Sequence, residues 1–276
     1  MNGMRTWEGQ LPTFDNVSLF VRSDLPAEAK AVFILVHGLA EHGGRYQYVT
    51  EKCNRFGYGV YRFDHRGHGK SEGERAHVDD FMHFVDDAAL VVDMAGRENP
   101  GLPLFMFGHS MGGQVAAVYG IRYKGVLAGQ IFSGALFREP AAAAELKKID
   151  FARLPAAARM PNALAAFVSR DPDVVRAYEN DPLVLKEVGL RLLGAIAVRG
   201  PAWLNDHVRE YDGPCLILHG GGDRIVDPES ARWFHAHISS ADKELRVYDE
   251  LYHEVWNERE KDGVIEDIHR WVEKRM

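Results

Sequence analysis

The apolar positions of this chain fall into short continuous runs separated by longer stretches of helical period. Ala31–Val36 and Leu104–Phe107 are apolar throughout, the pattern of strands buried on both faces. Tyr58–Phe63, Leu127–Phe132, Cys215–Leu218 and Leu245–Tyr248 read as further strands, and the alternating Asn16–Arg22 as an early antiparallel one. Helices are expected around Tyr46–Phe56 and Phe81–Arg97, directly after Ser110, around Glu229–His237 and near Gly263–Lys274. Strands alternating with helices at this spacing imply an α/β protein with a mostly parallel, doubly wound sheet. In such sheets sites form at the C-terminal ends of strands. His37, Asp64, Ser110 and Asp223 all lie just beyond such ends.

One region breaks the rhythm. From Ala135 to Asn205 no strand is evident, only an Ala- and Leu-rich helical stretch interrupted by Pro155, Pro161, Pro172, Pro182 and Pro201. An insertion of this size between two sheet strands reads as a helical cap, residues 135–205, over a core made of residues 1–134 and 206–276. Most of its apolar residues, Leu192, Ile196 and Leu204 among them, are expected to pack the cap onto the core. The rest leave room for transient contact with a membrane surface.

Composition narrows the class without changing the fold. The chain is 46% hydrophobic and 26% charged, ordinary for a globular protein, and 276 residues bury an ample core. A net charge of −7 argues against nucleic acid as a partner and against simple adhesion to anionic membranes. Two cysteines, Cys53 and Cys215, make no disulfide framework, and Cys215 reads as a small buried hydrophobe. The first ten residues lack the apolar segment of a signal peptide, and no stretch reaches transmembrane length, so a cytoplasmic location is expected. No phosphate loop and no metal-ligand spacing appears, so neither cofactor nor metal is expected. His235 and His237 lack a third ligand cluster, and His253-Glu254 lacks the second histidine of a zinc-protease helix.

The candidate chemistry centres on Gly108-His109-Ser110-Met111-Gly112-Gly113, between an apolar strand and a helix-compatible run. Strand, Gly-x-Ser-x-Gly turn and helix form the context of a serine nucleophile held clear on a strained elbow. The alternative, a glycine-rich turn with an idle serine, leaves the rest of the chain unexplained. A serine hydroxyl needs a base oriented by a carboxylate, and for this elbow the chain order is nucleophile, acid, histidine. Asp223 follows the strand Cys215–Leu218 and a flexible glycine run; His253 follows the strand Leu245–Tyr248. Both fall where the chemistry requires, independently of the elbow. Asp227 competes as the acid, but the following Pro228 marks it as a helix cap. His219 reads as a strand-end residue. An oxyanion hole needs two preorganised donors. The N–H of Met111, next to the nucleophile, is one, and that of Leu39, in the loop after the third strand, is the other.

Several segments carry a narrower signal: His37–Tyr46 (HGLAEHGGRY), Phe63–Ser71 (FDHRGHGKS), Gly108–Gly113, Asn180–Val184 (NDPLV) and Leu251–Glu254 (LYHE). Together they resemble the monoacylglycerol lipase and lysophospholipase branch of the α/β-hydrolases, whose signatures thus span nearly the whole chain. The resemblance implies an eight-stranded α/β-hydrolase sheet with helices on both faces. It also implies a helical cap, an apolar tunnel for an acyl chain, and hydrolysis of a small-molecule lipid ester. Glu41, Arg45 and His109 match positions that line the glycerol pocket in that family. Glu41 and Arg45 are also four residues apart, and an ion pair that fixes the loop is the other reading of them. Asp64 and Arg66 are expected to brace the loop after the fourth strand. Phe137–Ile149 and Met160–Asp173 depart from the family pattern.

Overall fold

The computed structural model describes residues 3–140, 145 and 147–276, so residues 141–144 and 146 of the expected cap lie outside the described residues. Its strands and helices alternate along the chain as β1 (Arg5–Pro12), β2 (Ser18–Leu25), β3 (Ala31–Val36), α1 (Gln47–Arg55), β4 (Tyr58–Phe63), α2 (Met82–Glu98), β5 (Leu104–His109), α3 (Met111–Arg122) and β6 (Gly129–Ser133). After an insertion the pattern resumes with β9 (Cys215–Gly220), a helix at Glu229–His237, β10 (Lys243–Tyr248) and a helix at Lys261–Glu273. Eight strands form one sheet in the order β1-β2-β4-β3-β5-β6-β9-β10. The β1–β2 and β2–β4 pairs are antiparallel and the remaining pairs parallel. This is the α/β-hydrolase fold.

The continuous apolar runs are explained by burial on two sides. In β3, Phe33 and Leu35 pack with α1 and the C-terminal helix, while Val32, Ile34 and Val36 join the core under α2, α3 and the Glu229–His237 helix. A strand so placed has no face for polar residues. β1 is the opposite case. It pairs with β2 at the sheet edge and is largely exposed, Trp7 included, so it carries no apolar alternation and was not among the expected strands. Asn16, in the left-handed region at φ 64°, turns the chain from β1 into β2.

The segment between β6 and β9 is not wholly helical. Two three-residue strands, β7 (Arg159–Pro161) and β8 (Glu187–Gly189), pair antiparallel. They are too short to show a period, and Pro161 at the end of β7 masked the signal further. Around them lie α4 (Ala165–Val168), α5 (Pro172–Asn180), α6 (Leu190–Gly194) and α7 (Gly200–His207). Between α6 and α7 the helix widens over Ala195–Arg199. Such a bulge frees backbone carbonyls, and Gln114 of α3 takes one, donating from Nε2 to Ile196 O at 3.1 Å and to Leu136 O at 2.9 Å. Backbone bonds from Leu185 N–H to Ala40 O and from Glu254 N–H to Val168 O, both 2.8 Å, stitch the segment to two core loops. The following helices are α8 (Glu229–His237) and α9 (Lys261–Glu273). Among the described residues no helix is long and apolar enough to cross a membrane.

The loops after β3 and β4 are braced by buried polar groups. Asp64 accepts the N–H groups of Gly43 and Lys70, both at 2.7 Å, and Arg66 reaches Asp87 and Asp15. His37 accepts the His65 N–H at 2.9 Å, and its ring lies 4.4 Å from that of His65. Burial pushes His37 well below the usual histidine range, His65 to about 3 and His68 to about 4. These rings are neutral in the fold but take protons in the unfolded chain below about pH 6.5. Their contribution to stability is therefore complete above that pH and is lost as pH falls toward the folded-state values. Urea unfolding between pH 7 and 4 should show a loss of about 1.4 kcal/mol per pH unit for each such histidine. A flat or rising profile would mean that the cluster is protonated in the fold.

Candidate active site

Ser110 occupies the single-residue turn between β5 and α3, at φ 53° and ψ −119°. A side-chain-bearing residue there is strained, and the neighbouring packing explains why the strain persists. A Cβ on Gly112 would come within 2.1 Å of Val36 O, one on Gly108 within 2.5 Å of Gly112 O, and one on Gly113 within 2.4 Å of the Ala135 Cβ. The elbow is wedged between β3 and the start of the insertion. Ser110 N–H donates to Ser133 O at 2.9 Å, and the Ser110 carbonyl accepts Gly113 N–H at 3.0 Å. The first turn of α3 thus begins under the serine, and Met111 is its first, buried residue. The loop after β3 meets the same spot. A Cβ on Gly38 would lie 3.1 Å from the Ser110 Cβ, and the Gly38 N–H is taken by Glu41 Oε1 at 2.7 Å. Leu39 follows in that loop.

His253 and Asp223 meet directly. His253 Nδ1 donates to Asp223 Oδ2 at 2.7 Å, and both side chains are buried. The other oxygen of Asp223 accepts Ile225 N–H at 2.8 Å and Val226 N–H at 3.0 Å, which orients the carboxylate. Asp227 turns away and caps α8, accepting Glu229 N–H at 2.9 Å. Burial alone would lower His253, but the adjacent Asp223 carboxylate outweighs it and holds the imidazole above its ordinary value. Burial would likewise raise Asp223, yet His253 and His219 hold it well below the usual carboxylate range. The His253 ring lies 4.6 Å from that of His109, the residue before Ser110. Structure therefore brings residues 109–111, 223 and 253 to one place at the C-terminal edge of the sheet.

Of the three residues matched to a glycerol pocket, two form a network. Arg45 Nη1 lies 2.6 Å from Glu41 Oε2 and 2.5 Å from Glu254 Oε1, while Nη2 donates to Glu254 Oε2 at 2.8 Å. Tyr46 OH donates to Glu41 Oε1 at 2.7 Å, and Arg45 also lies over the Tyr178 ring of α5. The ion-pair reading of Glu41 and Arg45 is thus realised, with Glu254 as an unforeseen third member 209 residues from Arg45. His109 is buried, its Nδ1 3.0 Å from Ser133 O, and burial together with neighbouring His253 pushes its ring down to about 3. His219 was also missed, since nothing in a strand-end histidine signals that it lies 3.2 Å from Asp223 Oδ2. Among the described residues no group of three or more His, Cys, Asp or Glu is arranged to hold a metal. A cleft of about 1190 Å³ opens beside Asp223, lined by Leu136, Pro201, Ile225, Trp233, Glu139 and Asp206 among others.

The glycine run before Asp223 works differently from the expected flexible link. A Cβ on Gly220 would lie 2.2 Å from both Leu251 O and Tyr252 O, and one on Gly221 2.4 Å from Asp249 O. Glycine lets the backbone carrying His253 press against the backbone carrying Asp223.

Comparison with known proteins agrees with this architecture. The family model "Serine aminopeptidase, S33" matches residues 27–260. The chain belongs to that family. Over 251 residues it is 36% identical to a monoacylglycerol lipase of Mycolicibacterium smegmatis, with 89% of each chain covered. It is 32% identical to the human (Homo sapiens) monoglyceride lipase, with 95% of this chain and 88% of that one covered. The crystal structure of Paleococcus ferrophilus monoacylglycerol lipase superposes with a TM-score of 0.81 at 26% identity, covering 99% of this chain and 100% of that one. These relatives put the S33 chain in the monoacylglycerol lipase branch of the α/β-hydrolases.

The crowding at Gly220 can be tested. Gly220→Ala should leave the far-ultraviolet circular dichroism unchanged and lower kcat/KM for ester hydrolysis by about 10²-fold, because the His253 loop is displaced. Full activity in this variant would show that the loop yields without cost.

Proposed function

We propose that this carboxylic ester hydrolase is a monoacylglycerol lipase working through Ser110, His253 and Asp223. The observation that carries the reading is the buried 2.7 Å bond from His253 Nδ1 to Asp223 beside a strained serine elbow. It is supported by relatives named as monoacylglycerol lipases at up to 36% identity over most of the chain.

In this mechanism His253 takes the Ser110 hydroxyl proton as Oγ attacks the ester carbonyl. The N–H groups of Met111 and Leu39 stabilise the tetrahedral oxyanion, and the dipole of α3 adds to them. His253 then protonates the departing glycerol oxygen, and Asp223 stabilises the transient imidazolium. Water, activated by the same histidine, releases the fatty acid from the acyl-enzyme. Glu41 and Arg45 serve this chemistry by holding the loop that presents Leu39. His109, neutral and beside both Ser110 and His253, faces the alcohol portion of the substrate. The insertion, residues 135–205, acts as the cap of the acyl site, and its exposed Ile149 and Met160 suit brief contact with a lipid surface.

The second reading is a general carboxylesterase, which the same triad would serve with a wider cap. A peptidase reading would call for a carboxylate free to bind an amine, and Glu41 and Glu254, near His253, are both engaged by Arg45.

Hydrolysis of 1-monoacylglycerols from C8 to C18, beside nitrophenyl esters and lysophosphatidylcholine, separates the readings. A monoacylglycerol preference is expected, with Ser110→Ala lowering kcat by about 10⁴-fold or more at unchanged fold. Preference for short nitrophenyl esters alone would leave a general esterase. In the wild type, kcat/KM should rise with pH as His253 loses its proton, with a midpoint above the ordinary histidine value. Asp223→Asn should cost about 10⁴-fold in kcat. Retention of most activity by either variant would sink the triad.

A further inference from the structure

We propose that His219 is a positioning residue for Asp223, setting both the orientation and the effective charge of the carboxylate that acts on His253. The proposal rests on the triad reading above. His219 is fully buried at the C-terminal end of β9. Its Nε2–H donates to Val226 O at 2.9 Å, and the same nitrogen lies 3.2 Å from Asp223 Oδ2. Val226 in turn donates its own N–H to Asp223 Oδ1 at 3.0 Å. The imidazole thus holds the turn whose amide fixes one carboxylate oxygen, and its Nε2 lies near the other. That second oxygen is the one that accepts His253 Nδ1 at 2.7 Å.

The tautomer follows from the partners. A carbonyl can only accept, so the hydrogen is on Nε2. The opposite nitrogen, Nδ1, is buried with no hydrogen-bond partner. An unpaired buried nitrogen is a cost that an aliphatic side chain of similar volume would avoid. The ring is kept at that cost for the work of Nε2.

The electrostatic consequence has a sign. The positive N–H end of the His219 ring lies close to the oxygen shared with His253, with Nε2 at 3.2 Å, so it weakens the negative potential that the imidazole of His253 feels. Removing it leaves Asp223 more basic and lifts His253 further. Other charged or titratable groups acting on His253 or on its neighbour His109 are Glu254, Glu41 and Arg45, and among the described residues His219 forms a hydrogen bond or ion pair with none of these four. A shift in the titration of His253 caused by a change at residue 219 therefore reports on Asp223.

The test compares kcat, KM and the pH profile of kcat/KM for the wild type and for H219L, H219Q, H219N and D223N, using a monoacylglycerol or a nitrophenyl ester. H219L should lower kcat by about tenfold with KM changed less than about twofold. Its kcat/KM midpoint should move up by about half a pH unit. H219Q, whose amide nitrogen reaches the Nε2 position, should restore both; H219N, whose amide ends at the Nδ1 position, should restore neither. If H219L does not fold, the contrast between H219Q and H219N carries the test. Wild-type kcat and midpoint in H219L or H219N would overturn the proposal. So would equal losses of kcat in all three His219 variants with an unmoved midpoint, which would mark a purely structural ring. Wild-type activity in D223N would instead remove the triad reading on which the proposal stands.

Discussion

The site depends on one guanidinium. Arg45 bridges Glu41, in the loop after β3, to Glu254, in the loop after β10. Those loops carry Leu39 and His253, so Arg45 ties together two segments that flank the site. A buried charge bridging two carboxylates is not a cheap way to gain stability, because desolvation offsets most of the attraction. Removing Arg45 would leave two carboxylates uncompensated in the interior. What the network provides is register between segments that are distant in sequence. Tyr46 and Tyr178 close it from the core and from the insertion, so the same group senses three parts of the molecule.

Crowding around the site acts in the same direction. At Gly108, Gly112 and Gly113 the elbow is pressed between β3 and the residues that follow β6, and at Gly220 and Gly221 the strand end is pressed against the His253 loop. Side chains are absent wherever two backbones must approach to position a third group. The strained conformation of Ser110 is held by this packing, with the α3 amides beneath it satisfying its carbonyl.

Much of this was legible in the chain because it obeys local rules. Burial on both faces makes β3 and β5 apolar throughout, and the Gly-x-Ser-x-Gly turn must sit between strand and helix, so the fold and Ser110 were readable together. The meeting of Asp223 and His253 could be read because each follows a strand, and the capping contact of Asp227 because of Pro228. The missed features are those whose cause lies elsewhere in the molecule. β1 is an exposed edge whose pairing comes from β2, and β7 and β8 are three residues each and exist only as a pair. Glu254 and His219 matter through partners that no local spacing names. The run Gly220–Gly222 looked like slack in the chain, whereas its meaning is the carbonyl of a neighbouring loop.

The stitching of the insertion to the core bears on how such hydrolases diversify. Its backbone bonds at Leu185 and Val168 engage loops that also carry Glu41 and His253, and Gln114 joins it to the helix under the serine. A segment fastened at these points is tied into the core as well as lining the cleft beside Asp223. Grafting it between related chains would therefore have to carry its anchor points at Ala40, Gln114 and Glu254 along with it.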